Sequence, residues 1–139
     1  MSETLSAQGQ CVCGACKFKA EEASTSVGAC HCKTCRQWGG GPLMTVDCGT
    51  EVTFTQKENV HIFDSSKWAE RGFCDKCGSH LFYRLKHSQQ HMMLVGLFTE
   101  GLDFKFDHQV FIDEKPNYYC FSNDTQDLTR PEVFALYGA

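Results

Sequence analysis

Two pairs of cysteines, far apart in the chain, constrain this sequence more than any other feature. Cys11 and Cys13 lie in CVCG, and Cys74 and Cys77 lie in FCDKCG, with sixty residues between the pairs. A C-x-x-C closed by a tight turn sets two sulfurs at the separation a tetrahedral zinc ion needs, and Gly78 is expected to close that turn at positive φ. A C-x-C on a strand projects both sulfurs to one face. Together the pairs make a complete four-cysteine set, expected to hold a structural zinc that clips the start of the fold to a distant strand. The alternative is that these are reduced core cysteines, because free cysteine is among the most buried residue types. The paired spacings weigh against it.

A third cluster poses a different problem. CHCKTC at 30–35 supplies Cys30, Cys32 and Cys35, which is one thiolate short of a closed site. Three protein ligands with one open position is the arrangement of a catalytic or ligand-exchanging zinc. Lys33 and Arg36 flank it, and cationic neighbours favour thiolates. The competing reading is a closed site whose fourth ligand comes from Cys48, His31 or His80. Cys16 is a further rival, because CVCGAC and CHCKTC share the pattern C-x-C-x-x-C. Strand phase instead places Cys16 and Cys48 on apolar faces as small buried hydrophobes, and the same reading is extended to Cys120. His31 would face away from its neighbours on a strand.

The rest of the chain reads as mainly β. Period-two alternation runs through Cys16, Phe18 and Ala20; Met44, Val46 and Cys48; Val52 and Phe54; Val60 and Ile62; Leu81, Tyr83 and Leu85; and Leu102, Phe104 and Phe106. The run 92–98 is expected to be a strand buried on both faces, and Val110 with Ile112 to begin another. One helical turn is expected after Cys32, through Arg36 and Trp38, ending at the glycines of 39–41. Pro131 is expected to begin a short helix over EVFALYG. The length of 139 residues suits a single domain, 1–139, with its core at about 9–120.

The net charge of −4 and the lack of a basic stripe argue against a nucleic-acid partner. No apolar run is long enough to span a membrane, and MSETLSAQGQ lacks the features of a secretory signal. A cytoplasmic location is therefore expected, where clustered cysteines are metal ligands or reactive thiols before they are disulfides.

These motifs resemble the glutathione-dependent formaldehyde-activating family, which includes centromere protein V. The family pattern is C-x-C-G, then C-H-C-x-x-C-R with glycine soon after, then S-S before R-x-F-C-x-x-C-G. This chain has CVCG at 11–14, CHCKTCR at 30–36, Ser65 and Ser66, and RGFCDKCGS at 71–79. The segment DHQVFIDEKPNYY resembles the family's H-I-F-x-x-x-K-x-x-W stretch, with Tyr118 or Tyr119 in place of tryptophan. Cys16 stands where an aliphatic residue is usual, and His80 lies outside the pattern.

The resemblance implies an Mss4-like β-tent of antiparallel sheets with zinc knuckles. It implies two zinc ions, one held by Cys11, Cys13, Cys74 and Cys77 and a second, labile one held by Cys30, Cys32 and Cys35. It also implies carbon–sulfur lyase activity that joins formaldehyde and glutathione into S-hydroxymethylglutathione, and the reverse. The pocket is expected to be set by Trp38, Leu43 and Met44. An incoming thiol would take the open position beside the three cysteines, with His31 or His80 as the candidate proton acceptor and no carboxylate adjoining the cluster. The alternatives are a lyase acting on another small thiol adduct and a non-catalytic zinc-binding module. Aromatic residues after 117 are expected to cover a pocket or a dimer contact.

Overall fold

The computed structural model describes residues 4–100 and 102–137. Three strands, β1 (Thr4–Gln10), β2 (Lys17–Ser24) and β5 (Val52–Phe54), form a small antiparallel sheet in the order β1-β2-β5. The remaining strands are β3 (Ser26–Cys30), β4 (Leu43–Asp47), β6 (Val60–Phe63), β7 (Ala69–Cys74), β8 (His80–Leu85), β9 (His91–Leu94), β10 (Lys105–Val110) and β11 (Gln126–Leu128). They make an eight-stranded sheet in the order β11-β10-β3-β4-β9-β8-β7-β6. Two helices complete the fold, α1 (Lys33–Gly39) and α2 (Arg130–Tyr137).

The mainly β expectation therefore holds, with one qualification on strand direction. β10 runs parallel to both β3 and β11, and the other pairings are antiparallel. Parallel neighbours need long connections. Here β10 comes back to β3 after most of the fold has intervened, pairing Lys105↔Ser26 at one end and Val110↔Cys30 at the other, with a bulge between. That return brings the segment after residue 110 over the end of β3, where Cys30 lies.

The large sheet has two unlike faces. One packs against the small sheet around Phe18, Val46, Phe82 and Met93, with Phe54, Phe98 and Phe104 closing the edges. The alternation read from the sequence holds in β2: Cys16, Phe18 and Ala20 are buried, and Lys17 and Lys19 are exposed. It fails in β8. Leu81 was expected to share a face with Tyr83 and Leu85, but the pairing steps from Phe73↔His80 to Gly72↔Phe82 and leaves Leu81 in a bulge. Leu81 and Phe82 both enter the core, and Tyr83 and Leu85 turn to the opposite face. A one-residue shift inverts every side chain beyond it.

Two further expectations are corrected. The run 92–98 is not one strand: β9 ends at Leu94 and a 3-10 turn occupies Val95–Leu97. Val110 ends β10 rather than beginning a strand, because Phe111 adopts φ 55° and a 3-10 turn follows at Ile112–Glu114. Both helices form where expected. Gly40 ends α1 in the left-handed conformation at φ 85°. A capping box starts α2: Thr129 N–H and Oγ both donate to Glu132 Oε1, at 2.8 and 2.9 Å. Gly138, the last residue of the expected helix, lies outside the described residues. Among the described residues no helix is long and apolar enough to cross a membrane.

Candidate metal centres and the cavity beside them

The first cysteine group assembles as the spacing requires. The Sγ atoms of Cys11, Cys13, Cys74 and Cys77 lie within 4.8 Å of one another. Cys11 and Cys13 sulfurs are 3.6 Å apart, and Cys13 and Cys74 sulfurs 3.8 Å. With zinc–sulfur bonds of about 2.3 Å, the edge of a tetrahedron is about 3.8 Å. The donor set fits a tetrahedral thiolate site.

The means of aiming Cys11 and Cys13 differs from the expectation. They lie on a turn beyond β1, not on a strand: Gly14 N–H donates to Cys11 O at 3.1 Å, and Cys11 N–H to Cys16 O at 3.0 Å. Backbone amides then point at the sulfurs, Cys16 N–H to Cys11 Sγ at 3.3 Å and Ala15 N–H to Cys13 Sγ at 3.5 Å. On the other side, Gly78 takes φ 79° and its N–H donates to Cys74 O at 2.8 Å. Ser79, to which the cysteine spacing assigns no role, joins the two turns. Its hydroxyl lies 3.1 Å from Cys77 Sγ and accepts the Val12 N–H at 3.2 Å. Hydrogen bonds from Ser79 hold the Cys77 thiol down to about 5.

Cys30, Cys32 and Cys35 also converge within 4.8 Å, at the end of β3 and the start of α1. Cys32 is the N-cap of α1, and its sulfur accepts the Cys35 N–H at 3.3 Å. Among the described residues no further Cys, His, Asp or Glu brings a ligand atom within 4.8 Å of all three. Each proposed fourth ligand is engaged elsewhere. Cys16 and Cys48 are fully buried in the core, where burial pushes their thiols up to about 12. The His80 ring stacks on Trp38 at 3.7 Å. His31 is fully buried and points away, with Nδ1 2.8 Å from Tyr119 Oη and Nε2 2.7 Å from Gln109 Oε1. Because Gln109 Oε1 only accepts, Nε2 carries the proton and Nδ1 accepts from Tyr119. Both nitrogens are thereby used, so His31 anchors the Cys30–Cys32 segment and is no proton acceptor. Cys120, expected to be buried, is exposed.

The most telling neighbour is an arginine to which the cysteine spacing assigns no role. Arg71 on β7 is 2% exposed, and its Nη1 lies 3.4 Å from Cys35 Sγ. Its guanidinium lies between Trp38 and Tyr83, 5.3 and 5.0 Å from their ring centroids. A buried cation requires an anionic partner, and the sulfur cluster supplies it. The three thiols cannot all ionise by themselves. Hydrogen bonds from Cys30 and Cys35 lower the Cys32 thiol, and the Cys32 and Cys35 sulfurs, with burial, push Cys30 well above its ordinary value. A cation among them removes that conflict, which is the chemical ground on which the group fits a thiolate-bound metal. Of the two cations expected to flank the cluster, Arg36 is taken up by another contact, its Nε donating to His31 O at 2.8 Å, while the backbone N–H of Lys33 donates to Glu114 Oε1 at 3.3 Å.

A cavity of about 240 Å³ opens beside Cys30, Cys32 and Cys35, on the face of the large sheet opposite the core. Of the residues expected to shape it, Leu43 does so, but Met44 packs toward the core and Trp38 is taken up by His80 and Arg71. Glu114 lines the cavity, so a carboxylate does adjoin the cluster region. It was missed because only the parallel return of β10 brings it there. The aromatic residues after 117 divide in role. Tyr119 binds His31, Tyr118 is exposed, and Phe134 and Tyr137 line the cavity.

Comparison with known proteins agrees with this picture. Residues 6–114 match the family model of the glutathione-dependent formaldehyde-activating enzyme. A Schizosaccharomyces pombe protein named only as an uncharacterized lyase is 35% identical over 127 residues, covering 91% of this chain and 93% of the relative. A crystal structure of a Rhodobacter sphaeroides protein shares the fold, with a TM-score of 0.55 at 21% identity, covering 68% of this chain and 89% of the other. The chain belongs to the glutathione-dependent formaldehyde-activating enzyme family.

Proposed function

We propose that this protein is a zinc-dependent carbon–sulfur lyase that makes and breaks thiol–aldehyde adducts, with glutathione as the first thiol to test. The whole chain acts as one zinc-binding domain in the reducing cytoplasm. Cys11, Cys13, Cys74 and Cys77 hold a structural zinc. Cys30, Cys32 and Cys35 hold a second one, and its fourth position is left to a ligand. The observation that carries this reading is the three-sulfur group with a buried arginine on one side, a cavity on the other, and, among the described residues, no fourth protein ligand atom within 4.8 Å of all three.

Zinc bound there would supply positive charge that lowers the pKa of a neighbouring thiol, holding it ionised near neutral pH. The chain's own residues do the rest. Arg71 offsets the excess negative charge of three thiolates. His31, held by Tyr119 and Gln109, fixes the chain between Cys30 and Cys32. The reaction balances without a further reagent: the thiol sulfur bonds to the aldehyde carbon, the C=O π pair moves to oxygen, and oxygen gains the proton that sulfur lost. The reverse releases thiol and aldehyde.

Aldehyde–thiol addition also proceeds without catalysis, so the test is acceleration. Zinc-loaded protein is mixed with formaldehyde and glutathione, and adduct formation is followed by NMR against the protein-free rate. The expected result is a faster approach to equilibrium that Cys32→Ser abolishes while leaving the fold intact. No acceleration with this pair, with other aldehydes or with other thiols, an aromatic one included, would remove the catalytic reading and leave a zinc-binding module.

A further inference from the structure

The cavity wall carries information about substrate that the cysteine motifs do not. Its outer side is built by α2, which begins 16 residues beyond the last residue matched by the family model. The helix is fixed in place by specific contacts. Val133 is buried, and the Phe134 ring meets Trp68 edge-on at 5.6 Å and Phe111 at 5.9 Å. Arg130 Nη1 pairs with Glu114 Oε2 at 3.2 Å, and its guanidinium lies 4.8 Å from the Phe134 ring centroid. With Leu85 and Tyr137, these side chains make the cavity wall largely hydrocarbon.

Such a wall offers more apolar surface than a one-carbon aldehyde can use. Formaldehyde presents almost no apolar surface, and it needs little of the roughly 240 Å³ available. An apolar cavity of about 150 Å³ is enough to hold benzene. Nor does the wall match a wholly polar body. Both arginines that line the cavity are committed, Arg71 to Cys35 and the rings of Trp38 and Tyr83, and Arg130 to Glu114, and the lining lysine, Lys33, lies at the start of α1 beside the cysteines rather than on α2.

We propose that the cavity closed by α2 is a subsite for an apolar carbon group about the size of a phenyl ring, carried by the carbon–sulfur compound handled at Cys30, Cys32 and Cys35. This rests on the thiol-binding reading above and names the substrate class for that same site. The substrate is then a thiol or thiol adduct whose carbon fragment is aromatic or branched hydrocarbon. Trp68 and Phe134 are the residues that select it.

The test uses calorimetric titration of the full zinc-loaded chain with phenylmethanethiol, 2-mercaptoethanol and glutathione. Phenylmethanethiol should bind at least about tenfold tighter than 2-mercaptoethanol, in line with the discrimination an apolar pocket provides. Phe134→Ala should reduce that ratio to about two or less. Should the alanine variant fail to fold by circular dichroism, Phe134→Leu, which keeps most of the packing, should still lower the ratio. Equal affinity for the two small thiols, a ratio unchanged in a folded variant, or glutathione binding as tightly as phenylmethanethiol would overturn the subsite alone. If none of the three binds, the thiol-binding reading fails and the subsite with it.

Discussion

Cys74→Ser removes one corner of the four-cysteine group and with it the clip between the first turn of the fold and β7. The magnitude follows from the loop that the clip closes. Cys13 and Cys74 are 61 positions apart, yet their sulfurs lie 3.8 Å from each other. Closing a loop of about 60 residues removes conformational entropy from the unfolded chain worth about 4 kcal/mol by the chain-entropy relation. Domains of this kind have total stabilities of roughly 5–15 kcal/mol, so the loss is a large share. At about 3–5 °C per kcal/mol for a chain of this length, the zinc-loaded variant should melt about 12–20 °C below wild type by circular dichroism. Strong chelation should bring wild type down by a similar amount. Cys120→Ser, at an exposed thiol outside both groups, should stay within about 0.5 kcal/mol of wild type. A fall of less than about 5 °C in Cys74→Ser, or a wild type indifferent to chelation, would refute the clip.

Three other outcomes are expected. Metal analysis of zinc-replete protein should find two zinc ions per chain, one withdrawn by a mild chelator well before the other; a single ion would remove the second site. Gly72→Val should destabilise the fold by about 3 kcal/mol or more in chemical denaturation, because a Cβ at Gly72 would stand 2.3 Å from the Phe82 ring and that ring is fully buried; a variant within about 1 kcal/mol of wild type would contradict the packing. His91 is held below its ordinary pKa by burial and then by the Arg84 charge. The folded state therefore resists a proton that the unfolded state accepts, so stability should fall as pH drops below about 6.5. At saturating zinc the fall between about pH 7.5 and 5.5 should be smaller in His91→Gln, and an equal fall in both would exclude His91 as a contributor.

What could be read from the sequence was whatever is written locally. Cys11, Cys13, Cys74 and Cys77 were legible as a convergent group because the short spacing within each pair already brings its two sulfurs together. β2 was legible because Lys17 and Lys19 alternate with buried Phe18 and Ala20. β3 was not, because its middle residues Val27, Gly28 and Ala29 are all buried and show no alternation. β7 was hidden by its composition: AERGFC does not look like a strand, yet Arg71 within it is buried against sulfur. The 3-10 turn at Val95–Leu97 cannot be told from strand in an unbroken apolar run. The cavity was least legible of all. It joins Cys30, Trp68, Tyr83, Phe111 and Phe134, and only the parallel return of β10 and the docking of α2 place them together. His31 gave a partial signal, since facing away from the cysteines was expected, but its partners lie 78 and 88 positions away.

The most direct test of the open three-cysteine site is cobalt substituted for zinc, followed by absorption spectroscopy during titration with a thiol. Cobalt in the four-cysteine group should give an unchanging tetrahedral thiolate spectrum. Cobalt at Cys30, Cys32 and Cys35 should gain sulfur-to-metal charge-transfer intensity of one additional thiolate as thiol is added, and Cys32→Ser should lose that response. A second-site spectrum that already shows four protein ligands, and that no thiol alters, would contradict the account.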